Sequence, residues 1–218
     1  MPASFTYAEV EAILAQTYGI SDTQLPGFRA RLKNLQRIGF PEGLNTGRGK
    51  PAIYNGGHLF QLAFAIELLL LGLTPERVRI VVGHCAYEIE AAVLASRNHE
   101  SPVMMTFLAG DLSGITTEGA SNSKIQKYSF INSGSLLFAS PQKHETRKAE
   151  KSIKLLNDIS SYPRGLLVNV SLIVLRIEDA INGTGLSNKQ NELWQEVASW
   201  AENVSWGGHI AGNLIDNS

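Results

Sequence analysis

Arg29, Lys33, Gln36 and Arg37 recur at spacings of four, three and one within LPGFRARLKNLQR. At about 100° per residue they project from one sector of a helix. Three cations and an amide stand there with no acid among them. Such groups suit phosphate oxygens, and arginine or glutamine can also reach base edges through paired hydrogen bonds. Arg31 and Asn34 point elsewhere on the same helix and are weaker candidates. Further on, Arg48 and Lys50 sit between glycines in NTGRGKPAIY. Glycines at a hairpin tip let the backbone approach another surface closely, where the two cations meet phosphates. Asn45, Thr46 and Tyr54 add neutral hydrogen-bonding groups, and Gln24 stands at the start of the cationic helix. A solvated helix face is the alternative for the helix alone. Helix and hairpin together favour nucleic acid. GRGK is not a phosphate-cradling nucleotide loop, because the spacing and the following Ser/Thr of that motif are missing.

These groups need a scaffold of helices. Thr6 with Glu9 forms a capping box for a first helix, whose apolar face is Val10, Ile13 and Leu14. Gly19 marks its end. Ser21 or Asp22 caps the second helix, from roughly Gln24 to Ile38, with Pro26 tolerated in the first turn. Gly39, Pro41 and Gly43 stop it. The segment from Asn45 to Tyr54 has hairpin chemistry, and a helix from about Gly57 to Leu71 follows, ending at Gly72. Thr74-Pro75-Glu76 restarts a helix that is expected to run to about Arg97. Val78, Val82, Cys85, Ile89 and Ala92 give it the seam of helices that pair side by side. Gly83 weakens that seam by up to ~1 kcal/mol relative to alanine.

After about Ser101 the texture changes. VMMTFLA, KYSFI, SLLFA and GLLVNV read as strands, and Pro141 to Ile159 as a charged helix. Ser113 to Ser123 reads as a loop. Ser171 to Asn182 and Asn188 to Val204 suggest two further helices. On the last of these, Trp194, Val197, Trp200 and Val204 make a stripe suited to core packing.

The stretch from about Thr6 to Val82 resembles the DNA-binding region of MerR-family transcription regulators. The likeness rests on FRARLKNLQRIGFP in the place of the recognition helix and its turn. GRGKPAIYN stands in the place of the wing, and LLLLGLTPERVRIVV matches the helix pair beyond it. The resemblance implies a dimer built on the helix after the wing module. It also implies a C-terminal region that senses a ligand or contacts another protein, RNA polymerase being one such partner. The expected fold is α+β: a winged helix-turn-helix over 1–82, a linking, dimerisation-type helix over 83–100, and an α/β domain over 101–218.

Composition agrees with a packed chain, at 44% hydrophobic and 18% charged residues. The net charge of -1 hides an asymmetry. Residues 1–83 carry eight Lys/Arg against six Asp/Glu, a balance of +2, and Ser21 to Tyr54 alone carries +4. A cluster of this kind supplies an electrostatic footprint for DNA. Cys85 is the only cysteine, which excludes an internal disulfide, a cysteine-rich zinc site and metal sensing through C-terminal cysteines. The five histidines show no ligand spacing, and no nucleophile elbow, dinucleotide fingerprint or paired-carboxylate signature appears. The expectation is therefore no catalysis, no cofactor and no metal. The start of the chain has no signal-peptide pattern, and the longest apolar run, around Leu68 to Leu71, is far short of the ~20 residues a bilayer requires. A cytoplasmic, nucleoid-associated regulator follows, binding double-stranded DNA as a homodimer on a pseudo-palindromic site. Two alternatives stand beside it: a winged module that binds protein, and a regulator whose C-terminal domain responds to a small molecule.

Overall fold

The computed structural model describes residues 3–44, 51–98, 103–108, 137–138 and 165–206. The fold is α+β and mostly helical, with two small antiparallel sheets. In chain order the elements are β1 (Phe5–Thr6), α1 (Tyr7–Thr17), α2 (Leu25–Arg37), β2 (Ile53–Tyr54), α3 (Gly56–Leu70), α4 (Pro75–His84) and α5 (Ala86–Asn98). They continue as β3 (Val103–Leu108), β4 (Leu137–Phe138), β5 (Gly165–Asn169), α6 (Val170–Gly183) and α7 (Ser187–Trp206). The expected hairpin tip, the KYSFI strand, the loop 113–123 and the helix 141–159 lie outside the described residues.

Local chemistry explains most helix ends. The Glu9 amide donates to Thr6 Oγ1 at 3.3 Å, and the Thr6 amide donates to Glu9 Oε2 at 2.6 Å. That is the capping box the sequence predicts. Thr74 accepts from the Arg77 amide at 3.3 Å and starts α4, with Pro75 in the first turn. Gly19 (φ 60) and Gly72 (φ 88) take the left-handed conformation that ends α1 and α3, a region costly for residues bearing a Cβ.

The helix expected from Thr74 to Arg97 is instead two. The Cys85 amide bonds to Val82 O at 3.1 Å, a tight three-residue turn that closes α4. The Ile89 amide then bonds to Cys85 O at 2.9 Å and opens α5. Gly83, a poor helix former, precedes the break.

β1 pairs with β2, setting Phe5 opposite Tyr54 and Thr6 opposite Ile53. In the second sheet β3 is central, antiparallel to β4 on one side and to β5 on the other. One buried cluster joins Phe5, Ile13 and Leu14 to Phe60, Phe64 and Leu68 of α3. The same cluster takes in Val103 and Met105 of β3, Ile173 and Ile177 of α6, and Leu193, Val197 and Trp200 of α7. α1 packs on α6 and α5 on α7. The core therefore crosses the boundary expected near residue 100.

Candidate nucleic-acid interface

α2 forms without a side-chain cap at Gln24. Its first turn is held by Ser21 O, which accepts from the amides of Gln24 at 2.9 Å and Leu25 at 3.0 Å. Pro26 fits where no intrahelical donor is needed, and Arg37 lies in the last turn, where a cation meets the negative end of the helix dipole. Phe28, Leu32 and Leu35 are buried at helical spacing. That leaves four cations and no acid on the thirteen residues of α2. The placement of α2 thus follows from its apolar face.

The four cations do not share one environment. Arg29 is engaged by Glu11 of α1: Nε donates to both carboxylate oxygens at 3.0 and 2.9 Å, and Nη2 donates to Oε1 at 2.6 Å. The guanidinium holds the Glu11 carboxyl below its ordinary range. Burial, with the Glu11 charge beside it, pushes the Tyr7 hydroxyl up to about 12. A bidentate pair of this geometry fixes the Arg29 side chain against α1. Lys33 and Arg37 are exposed, and Arg37 Nη2 donates to Asn34 Oδ1 at 2.8 Å. Gln36 is half-buried and Gln24 exposed. Arg31 and Asn34 line a separate cleft of about 280 Å³ with Leu69, Leu70 and Pro75. The sequence reading missed Glu11. Its signal was an acid wedged between Val10 and Ile13 on the apolar side of α1.

The base of the expected hairpin is held by a histidine that the sequence reading did not single out. His58 Nδ1 accepts from the Asn55 amide at 3.3 Å, and Asn55 Oδ1 accepts from the His58 amide at 2.8 Å. With Nδ1 accepting, Nε2 carries the proton and donates to Glu42 O at 3.1 Å. One imidazole thus joins the chain before residues 45–50 to the chain after them. Burial lowers its pKa, favouring the neutral ring this pattern needs.

Tyr54 is a correction. It was expected to offer its hydroxyl to a nucleic-acid backbone, yet only 2% of it is exposed. Its pairing opposite Phe5 draws it into the core, with its ring edge-on to His58 at 6.3 Å between centroids. Asn45, Thr46, Arg48 and Lys50 lie outside the described residues.

Beneath this surface the start of α3 is tied to α7. The buried Glu196 of α7 accepts from the amides of Ala3 at 2.8 Å, Gly56 at 3.0 Å and Gly57 at 3.3 Å. These satisfy donors that a helix start leaves open, and the carboxylate meets the positive end of the dipole. A Cβ on Gly56 would lie 2.6 Å from Leu193 Cδ1 and 3.2 Å from the Glu196 carboxylate, so any larger residue would have to displace these side chains. Lys189 adds a second tie, donating to Ser4 O at 2.7 Å and Glu9 Oε1 at 2.6 Å.

No family model, curated protein or solved structure matches the chain. The case for a function rests on its own residues.

A second correction concerns the seam. Val78, Val82, Cys85, Ile89 and Ala92 are all 0–1% exposed within a single protomer. α3, α6 and α7 of the same chain pack on this helix pair and cover the stripe within the described residues. Among the described residues no group of three or more His, Cys, Asp or Glu is placed to hold a metal, and no helix is long and apolar enough to cross a membrane.

Proposed function

We propose that the protein binds double-stranded DNA through α2 and the basic segment that follows it, as a transcription regulator of winged helix-turn-helix type. The observation that carries this reading is the cationic face of α2. Phe28, Leu32 and Leu35 are buried and no acid stands on the helix, while Lys33 and Arg37 are exposed and held by no acid among the described residues. Arg29 flanks them as a positioned cation, and Gln36 and Gln24 supply neutral donors. Arg48 and Lys50 grip flanking phosphates. The base of their segment is held by His58 between Glu42 and Asn55. A pseudo-palindromic site read by two protomers is the arrangement expected of such a helix.

The test is a salt-titrated binding assay on a genomic fragment library and on random duplex. Lys33→Ala and Arg37→Ala should each weaken binding by ~1–3 kcal/mol where the residue reads a base, with relaxed sequence preference. Arg48→Ala and Lys50→Ala should lower affinity evenly across sequences and reduce the salt slope by about one for each phosphate no longer neutralised. Parental affinity and salt slope in all four variants would refute the reading.

A further inference from the structure

We propose that the cleft between the end of α1, the last turn of α3 and the first half of α6 binds a small zwitterion bearing one amine and one carboxylate, of the size of a short α-amino acid. The cleft is about 190 Å³. At roughly 30 Å³ for each water-sized volume, it accommodates on the order of six to ten heavy atoms. Drug-sized ligands occupy larger pockets, so the occupant is a small metabolite.

The lining supplies opposite charges. Arg176 of α6 and Glu67 of α3 both face this one small space, and no ion pair joins either of them to another described residue. Both charges act on the Tyr18 hydroxyl: burial first, then the Glu67 carboxylate through its charge and a hydrogen bond, push it up, and Arg176 pulls it down. Tyr18 itself is fixed, donating to Ala63 O at 2.7 Å. Arg176 offers a planar pair of donors to a carboxylate, and Glu67 offers an acceptor to an ammonium. The first turn of α6 adds to the positive pole. There Asn169 Oδ1 is occupied by the Leu172 amide at 2.9 Å, and the Asn169 side-chain nitrogen has no partner among the described residues. Leu172 and Ile173 supply a short apolar wall for the rest of the ligand. The two poles come from parts of the chain over a hundred residues apart, so an occupant bridges α3 to α6. This site goes beyond the nucleic-acid reading and does not depend on it.

Isothermal titration of the full chain with glycine, L-alanine and L-serine tests the proposal, with propionate and n-propylamine as one-ended controls and L-tryptophan as an oversized one. Saturable binding of at least one small amino acid and of none of the controls is expected. Arg176→Ala and Glu67→Gln should each weaken that binding tenfold or more. Leu175→Ala, an exposed neighbour outside the cleft, should leave it unchanged. Melting curves without ligand check that the variants fold, and Arg176→Ala should still bind DNA like the parent, which keeps the two readings separable. Silence from all three amino acids, equal binding of propionate or tryptophan, or full affinity in folded Arg176→Ala would overturn the proposal.

Discussion

Helix α2 and the α4–α5 pair carry the same kind of signal, an apolar stripe at helical spacing beside polar residues, yet the protein treats them in opposite ways. α2 buries Phe28, Leu32 and Leu35 and leaves Lys33 and Arg37 in solvent. The α4–α5 stripe is buried as completely, but on it close α3, α6 and α7 of the same chain. Periodicity states that a face must be covered and is silent on what covers it. The hydrophobic effect is non-directional, so a stripe fit for a second protomer fits the protomer's own helices equally well.

That contrast can be broken by measurement. Ile89→Ala should destabilise the fold by ~2–5 kcal/mol, the cost of a cavity in a core, and urea unfolding will read it. Were Ile89→Ala instead to leave the unfolding midpoint alone and shift only the sedimentation coefficient, the seam would belong between protomers after all. Removing the carboxylate beneath α3 comes next. Glu196→Ala strips the acceptor from three buried amides and should cost ~1–3 kcal/mol or more, with Gln recovering part of it. At the other pole of the comparison, Lys33→Ala and Arg37→Ala should stay within ~0.5 kcal/mol of the parent in stability, as surface changes do. A large loss there would mean that α2 uses its cations for the fold.

The smallest effect expected is one of pH. His58 is neutral when folded, with a pKa below its ordinary value, so acid favours the unfolded chain, which takes the proton more readily. Stability should hold above the ordinary imidazole range and decline as the pH falls through it toward the lowered folded value. His58→Asn should flatten that decline in thermal scans between about pH 7.5 and 5.5, the range in which an imidazole titrates. An unchanged pH profile in the variant would remove His58 from the joint between Glu42 and Asn55.

What the sequence disclosed follows the range of the interactions involved. Thr6 with Glu9, and Thr74 with Pro75, act within one turn, and their helices begin where they should. The box at Asn55 and His58 is equally local but was missed, because a histidine does there what a Glu or Gln usually does. Strands at Val103–Leu108 and Gly165–Asn169 were legible as apolar runs. Tyr54 was not, since a two-residue strand has no period, and its burial depends on a partner 49 residues earlier. Glu11 and Arg29 form an ion pair between separate helices, and Glu67 and Arg176 line one cleft from segments over a hundred residues apart. Which residue each of these charges meets depends on how the helices pack, which no local pattern states.

Because Glu196 closes the first turn of α3, the fold cannot be completed in the order in which the chain is made. A ribosome releases α1, α2 and α3 well over a hundred residues before α7 follows, and until then the Gly56 and Gly57 amides have only water to bond. A nascent chain arrested before residue 196 should therefore be far more open to protease around Gly56 than the finished protein. Excising the first hundred residues as a free-standing reader of DNA would reproduce that unfinished state.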